Sequence, residues 1–119
     1  MKIRKSKIEQ SELAFEIPGK IKNIYVDVGD YVNKGDILAK LDDRESNAQL
    51  NQARAKYDLS KQVLDRFEDL RAQGHISIQD LDKARSDFII AESQYEFFKV
   101  KLEQTNIISP FNGVIQNRF

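Results

Sequence analysis

Between Asp43 and Asn106 the chain reads DRESNAQLNQARAKYDLSKQVLDRFEDLRAQGHISIQDLDKARSDFIIAESQYEFFKVKLEQTN, a charged stretch with no proline and one glycine, Gly74, near its midpoint. Small and apolar residues recur in it at alternating steps of three and four. After the glycine the series is Leu81, Ala84, Phe88, Ala91, Tyr95, Phe98, Leu102 and Thr105; before it, Leu50, Ala53, Tyr57, Ser60, Leu64 and Phe67. That spacing keeps one narrow stripe of each helix facing a partner, which is the signature of coiled-coil packing. Gly74 can take the left-handed conformation that closes a helix, so the stretch predicts two helices folded back on each other. With the turn at Gly74, residues facing one another have numbers that sum to about 148, twice the turn position. Phe67 then meets Leu81, Leu64 meets Ala84, Ser60 meets Phe88, Tyr57 meets Ala91, Ala53 meets Tyr95 and Leu50 meets Phe98. Several pairs join a large side chain to a small one, as close interdigitation requires.

The helix ends carry their own signals. Asp42 followed by Glu45 is a capping-box pattern that also sets acidic charge at the positive end of the helix dipole. Ser77 with Asp80 repeats the pattern after the break, and Ile76 with Leu81 stands at the two positions of a hydrophobic staple, so the second helix is expected to start at Ile78. Helices of roughly 30 residues at ~1.5 Å per residue would be on the order of 45 Å long.

On either side the period changes. From Leu13 to Leu41 short β-like runs, in which Ile21, Asn23 and Tyr25 alternate with Ile24, Val26 and Val28, are punctuated by Pro18-Gly19, Gly29-Asp30 and Gly35-Asp36. After the helices, Ile107-Ile-Ser-Pro-Phe-Asn-Gly-Val-Ile115 is β-like again, and Pro110 bars continuation of the helix. The expected organisation is a 1–12 N-terminal extension, a β unit over 13–42, a helical hairpin over 43–106 with its turn near 74–77, and a returning β segment over 107–119. The fold class is α+β, a long antiparallel coiled-coil hairpin inserted into a partial β domain.

Lys and Arg number 19 and Asp and Glu 19, so no summed field draws the chain onto a polyanion, and nucleic acid is discounted as a partner. Charged residues make up 32% and aromatic residues 9%, a balance suited to exposed helices with narrow seams rather than a thick core. The chain has no cysteine and one histidine, His75, which reads as an exposed turn residue; neither a metal site nor a disulfide is expected. The basic start, Met1 to Lys7, is followed by no apolar run long enough for a signal peptide, and no stretch reads as transmembrane. No nucleophile–base pair or phosphate loop is present, and Asp42, Asp43 and Glu45 are explained as helix-start charges, so no catalytic residue and no cofactor is expected.

The run from Pro18 to Leu41, with its Gly-Asp turns, resembles half of a biotinyl or lipoyl domain, and Ser109-Pro-Phe-Asn-Gly-Val-Ile115 resembles the start of the second half. A lipoyl domain split by a helical hairpin is the arrangement of periplasmic adaptors, the membrane fusion proteins of the HlyD-like family in tripartite efflux and secretion systems. The resemblance covers Leu13 to Phe119. It implies that the sequence is a fragment, without the β-barrel and membrane-proximal domains of full adaptors.

Arg66-Phe-Glu-Asp-Leu70-Arg-Ala-Gln-Gly-His-Ile-Ser77 matches the arginine-x3-leucine-x6-serine pattern of adaptors that engage TolC-type channels. On the heptad frame Arg66 and Leu70 fall off the seam and one turn apart, on a face expected to be exposed. The resemblance therefore implies channel docking through Arg66, Leu70 and Ser77, with arginine donating directional hydrogen bonds and leucine entering a groove. Ser77 has two readings, N-cap and contact residue. The implied function is a periplasmic, inner-membrane-associated adaptor, not an enzyme. Its partners would be a TolC-type outer-membrane channel, an inner-membrane transporter of RND or ABC type, and further copies of itself in a hexamer. The alternatives are a biotin- or lipoate-carrier domain acylated at Lys40, and an adaptor of a type I secretion or ABC exporter. Lys40 lies within the last β run, between Ala39 and Leu41, and lacks the flanking motif of carrier lysines.

Overall fold

The computed structural model describes residues 2–5, 10–12 and 20–117. The Pro18-Gly19 turn and the run that precedes it from Leu13 lie outside the described residues. The chain divides into two units, residues 44–102 and the remainder of the chain on either side.

The regular structure of the β unit, among its described residues, is strand. Its strands are β1 (Lys2–Lys5), β2 (Gln10–Glu12), β3 (Ile21–Ile24), β4 (Tyr31–Val32), β5 (Ile37–Leu41), β6 (Asn106–Ile108) and β7 (Gly113–Asn117). They form two antiparallel sheets, one in the order β2-β1-β7-β4 and the other β3-β5-β6. Residues 2–5, read from sequence as part of an N-terminal extension, instead pair along β7, with Ile3 opposite Ile115 and Arg4 opposite Val114. Backbone ladder bonds can bind such a polar segment without strong alternation in its side chains.

Two turns of one design link the short strands. In Asp27–Asp30 and in Asn33–Asp36 the fourth residue's N–H donates to the first residue's carbonyl, at 3.1 and 3.0 Å. Its carboxylate in turn accepts from the first residue's N–H, at 2.8 Å in both. Gly29 and Gly35, third in each turn, have φ of 92° and 93°, the left-handed value this turn type requires. The same turns bind the returning segment: Gly29 donates to the Ile115 carbonyl and Gly35 to the Ser109 carbonyl. Lys34 N–H also donates to Asn112 Oδ1, at 2.7 Å.

Val32, Leu38 and Ile115 form the buried core of this unit, with Val26 and Phe111 packed against it. Side chains of this size each gain about 1.5–3 kcal/mol from full burial. Thr105, which sequence spacing assigns to the helical seam, is instead fully buried here, its carbonyl accepting from Leu41 N–H at 2.8 Å.

The second unit holds α1 (Arg44–Ala72) and α2 (Ile78–Glu103). Asp43, not Asp42, directly precedes α1, and the Asp42 N–H donates to the Lys20 carbonyl at 2.7 Å. Ala53, Leu81, Ala84 and Ala91 are the buried residues of the two helices. Leu50, Tyr57, Leu64, Phe67, Phe88, Tyr95, Phe98 and Leu102 are half-buried. The Tyr57 ring lies 5.4 Å from that of Phe88 and 5.2 Å from that of Tyr95. Those two rings stand on either side of Ala91 on α2, so the phenol sits over the small residue between them.

Candidate functional site at the hairpin tip

The turn between the helices is held by hydrogen bonds at both ends. At the end of α1, Gly74 N–H donates to the Arg71 carbonyl at 2.9 Å and His75 N–H donates to the Leu70 carbonyl at 2.8 Å. With Gly74 at φ 78°, this is a Schellman closure, which satisfies carbonyls that the helix itself cannot. At the start of α2, Ser77 Oγ accepts from Asp80 N–H at 3.1 Å, and the Ser77 carbonyl accepts from Leu81 N–H at 3.3 Å. Across the turn, Arg71 Nη1 donates to the Ile76 carbonyl at 3.1 Å.

Around this frame the three motif residues take different positions. Arg66 is exposed, and no ion pair or hydrogen bond engages its guanidinium among the described residues. Ser77 is exposed with one acceptor position used by the cap, which leaves its O–H free to donate. Leu70, expected to be exposed, is half-buried. It is the residue whose carbonyl the Schellman closure engages, and its side chain lies on the flank beside the seam rather than on the outer face of α1.

That flank differs from its opposite. On one side of the seam, Leu59, Ile90 and Phe97 are 63%, 57% and 55% exposed. Between the helices on this side runs a groove of about 510 Å³ lined by Gln49, Gln52, Ala53, Lys56, Ser93, Gln94, Phe97 and Phe98. It adjoins a smaller hollow of about 220 Å³ that shares Lys56 and Gln94 and reaches Ser60, Asp87, Ile90 and Ala91. By heptad position Arg66 and Leu70 belong to this same flank. The other flank carries Arg54, Asp58, Lys61, Asp65 and Glu68 on α1, and Arg85, Glu92, Glu96 and Lys99 on α2. Ile78 and Ile89 are its exposed large apolar residues among the described ones, at 48% and 60%. The apolar flank was missed by counting, although Leu59, Ile90 and Phe97 each stand one step off the counted stripe.

Lys40 is in the middle strand of its sheet, opposite Asn23 on β3 and Asn106 on β6. Its Nζ lies 3.5 Å from the Asp43 carboxylate. Among the described residues no cluster of three or more His, Cys, Asp or Glu could hold a metal ion, and no helix is long and apolar enough to cross a membrane.

No family model matches the chain. Its similarity to individual proteins is nonetheless consistent. It is 33% identical over 98 residues to the multidrug resistance protein MdtA of Xenorhabdus bovienii, covering 76% of this chain and 22% of that protein. It is 25% identical over 134 residues to the macrolide export protein MacA of Yersinia pestis, covering 89% and 36%. Among solved structures, a MacA–MexA chimera containing the Pseudomonas aeruginosa MexA α-hairpin domain matches with a TM-score of 0.88 at 27% identity, over 96% of this chain and 41% of that one. The chain thus spans between 22% and 36% of the length of the two curated relatives named here. With its two long helices between antiparallel strands, the chain belongs to the membrane fusion proteins.

Proposed function

We propose that this chain is the β and hairpin portion of a periplasmic, inner-membrane-associated adaptor that links an inner-membrane transporter of RND or ABC type to a TolC-type outer-membrane channel. The observation that carries the reading is the similarity, over 96% of the chain, to a chimera that holds the MexA α-hairpin domain. Arg66, Leu70 and Ser77 are the channel-docking residues in this reading. The free guanidinium of Arg66 and the free O–H of Ser77 offer donors to carbonyls or carboxylates, and Leu70 adds an apolar edge. The unlike flanks of the hairpin support side-by-side packing of copies, up to a hexamer in the full assembly, because the exposed Ile90 and Phe97 need cover that a solvated monomer does not give.

Arg66→Asp tests the docking role. The side chain is exposed and empties no packed position, so circular dichroism of the variant should match the parent. In the intact adaptor, co-purification with the channel and efflux should both fall. Normal efflux with the channel still bound would remove Arg66 from the docking role.

A further inference from the structure

The bonds that shape the tip fall into two sets separated by Ile76. Those of Gly74 and His75 return to Arg71 and Leu70 and belong to the end of α1. Those of Asp80 and Leu81 return to Ser77 and belong to the start of α2. No backbone hydrogen bond among the described residues ties one set to the other. The link is the Arg71 side chain, which leaves the last turn of α1 and donates through Nη1 to the carbonyl of Ile76, the residue next to the α2 cap.

We propose that Arg71 is a positioning residue of the tip, clamping the Ile76 carbonyl so that Ser77 on α2 is held in register with Arg66 and Leu70 on α1. The proposal rests on the docking reading for its functional meaning, but the clamp itself is a property of this chain alone. Its logic is conformational. Without the clamp the backbone angles of His75 and Ile76 form a two-residue hinge, and the motif's two halves, carried on different helices, lose their fixed spacing. Arginine suits the task because its long stem reaches across the turn and its planar fork spends one N–H on the carbonyl while keeping others free. The competing account is that Arg71 is only a positive charge complementing the dipole at the C-terminal end of α1.

Two variants separate these accounts. Arg71→Met keeps the stem and removes every donor; Arg71→Lys keeps a charge and one reachable donor. Amide hydrogen exchange is measured on the 119-residue chain. The clamp predicts exchange about 5-fold faster in Arg71→Met at Gly74 and His75, and also at Asp80 on the far side of the turn, with Arg71→Lys near the parent. A dipole charge would alter Gly74 and His75 and leave Asp80 as it was. Unchanged exchange at Asp80 in Arg71→Met therefore overturns the clamp.

Binding to immobilised purified TolC supplies the second arm, as a double-mutant cycle with Ser77→Ala. A positioning role predicts about 5-fold weaker capture from Arg71→Met in the parent background, and less than about 2-fold once Ser77 is already alanine. Equal losses in the two backgrounds would make Arg71 a direct contact and overturn its positioning role. If the parent chain does not bind, or Arg66→Asp binds like the parent, the docking reading fails, and the exchange result alone decides the clamp.

Discussion

Tyr57 makes twice the ring contacts that Phe88 makes, and the difference can be read as energy. Its phenol approaches Phe88 at 5.4 Å with an interplanar angle of 39°, and Tyr95 at 5.2 Å with 41°. Tilted pairs at such distances contribute about 0.5–1.5 kcal/mol each beyond the area they bury. Tyr57→Leu keeps an apolar side chain over Ala91 but removes both pairs, and should destabilise the hairpin by about 1–3 kcal/mol. Phe88→Leu removes one pair, for about 0.5–1.5 kcal/mol. The double variant should lose less than the sum of the two, because the Tyr57–Phe88 contact is shared, and the shortfall measures that contact. The assay is urea unfolding followed by helical circular dichroism, with slopes compared first to establish that each variant unfolds in one step. The reasoning fails if Tyr57→Leu is no more damaging than Phe88→Leu, or if the two losses simply add.

Three further predictions follow from the turn and the sheet. Gly74→Ala should cost about 1–2 kcal/mol in hairpin stability by urea unfolding, from φ 78° alone, since a Cβ there meets nothing within 4 Å. Gly74→Asn should cost less, because asparagine tolerates this conformation better. Ser77→Asp should keep the cap to Asp80 N–H but remove the hydroxyl donor, leaving the melting temperature near the parent while weakening channel capture; equal capture would confine Ser77 to capping. Mass measurement after co-expression with a biotin or lipoate ligase should give the unmodified mass, Lys40 being held in a middle strand beside Asp43; an added acyl mass would restore the carrier reading.

What could be read from the sequence was what is decided within a few residues. Ser77 caps α2 through the N–H of Asp80, three residues on, and α1 is closed by Gly74 and His75 bonding back three and five residues to Arg71 and Leu70; such contacts depend on side-chain chemistry and short spacing. The pairing of β1 with β7 was not readable, because it joins opposite ends of the chain through backbone groups that every residue carries. Thr105 fits the helical spacing by count, yet its carbonyl is taken by Leu41 N–H, and a long-range sheet contact overrides the local period. Of the tip motif, Arg66 is exposed where the heptad spacing put it, whereas Leu70, put on the same face, is half-buried. A heptad frame that marks only seam and outer face does not distinguish the flank between them. The Arg71 bond to Ile76 has no sequence signal, since arginine in a last helical turn is common for its charge alone.

The bond between Leu41 and Thr105 has a bearing on how the chain folds. In an unfolded polymer these residues would close a loop of roughly 60 residues, and each halving of that length lowers the entropic cost of closure by about 0.6 kcal/mol. Once α1 and α2 are zipped together, the path between their outer ends shortens to the equivalent of a few residues. Four halvings are worth roughly 2.4 kcal/mol. The helices are built from local contacts and form quickly, whereas strands paired across long separations form slowly. On these grounds the hairpin is expected to act as a tether for β5 and β6, with the zipper forming before the sheet. A weakness in the zipper, such as the loss of the Tyr57 rings, would then be felt as slower closure of strands that contain none of its residues.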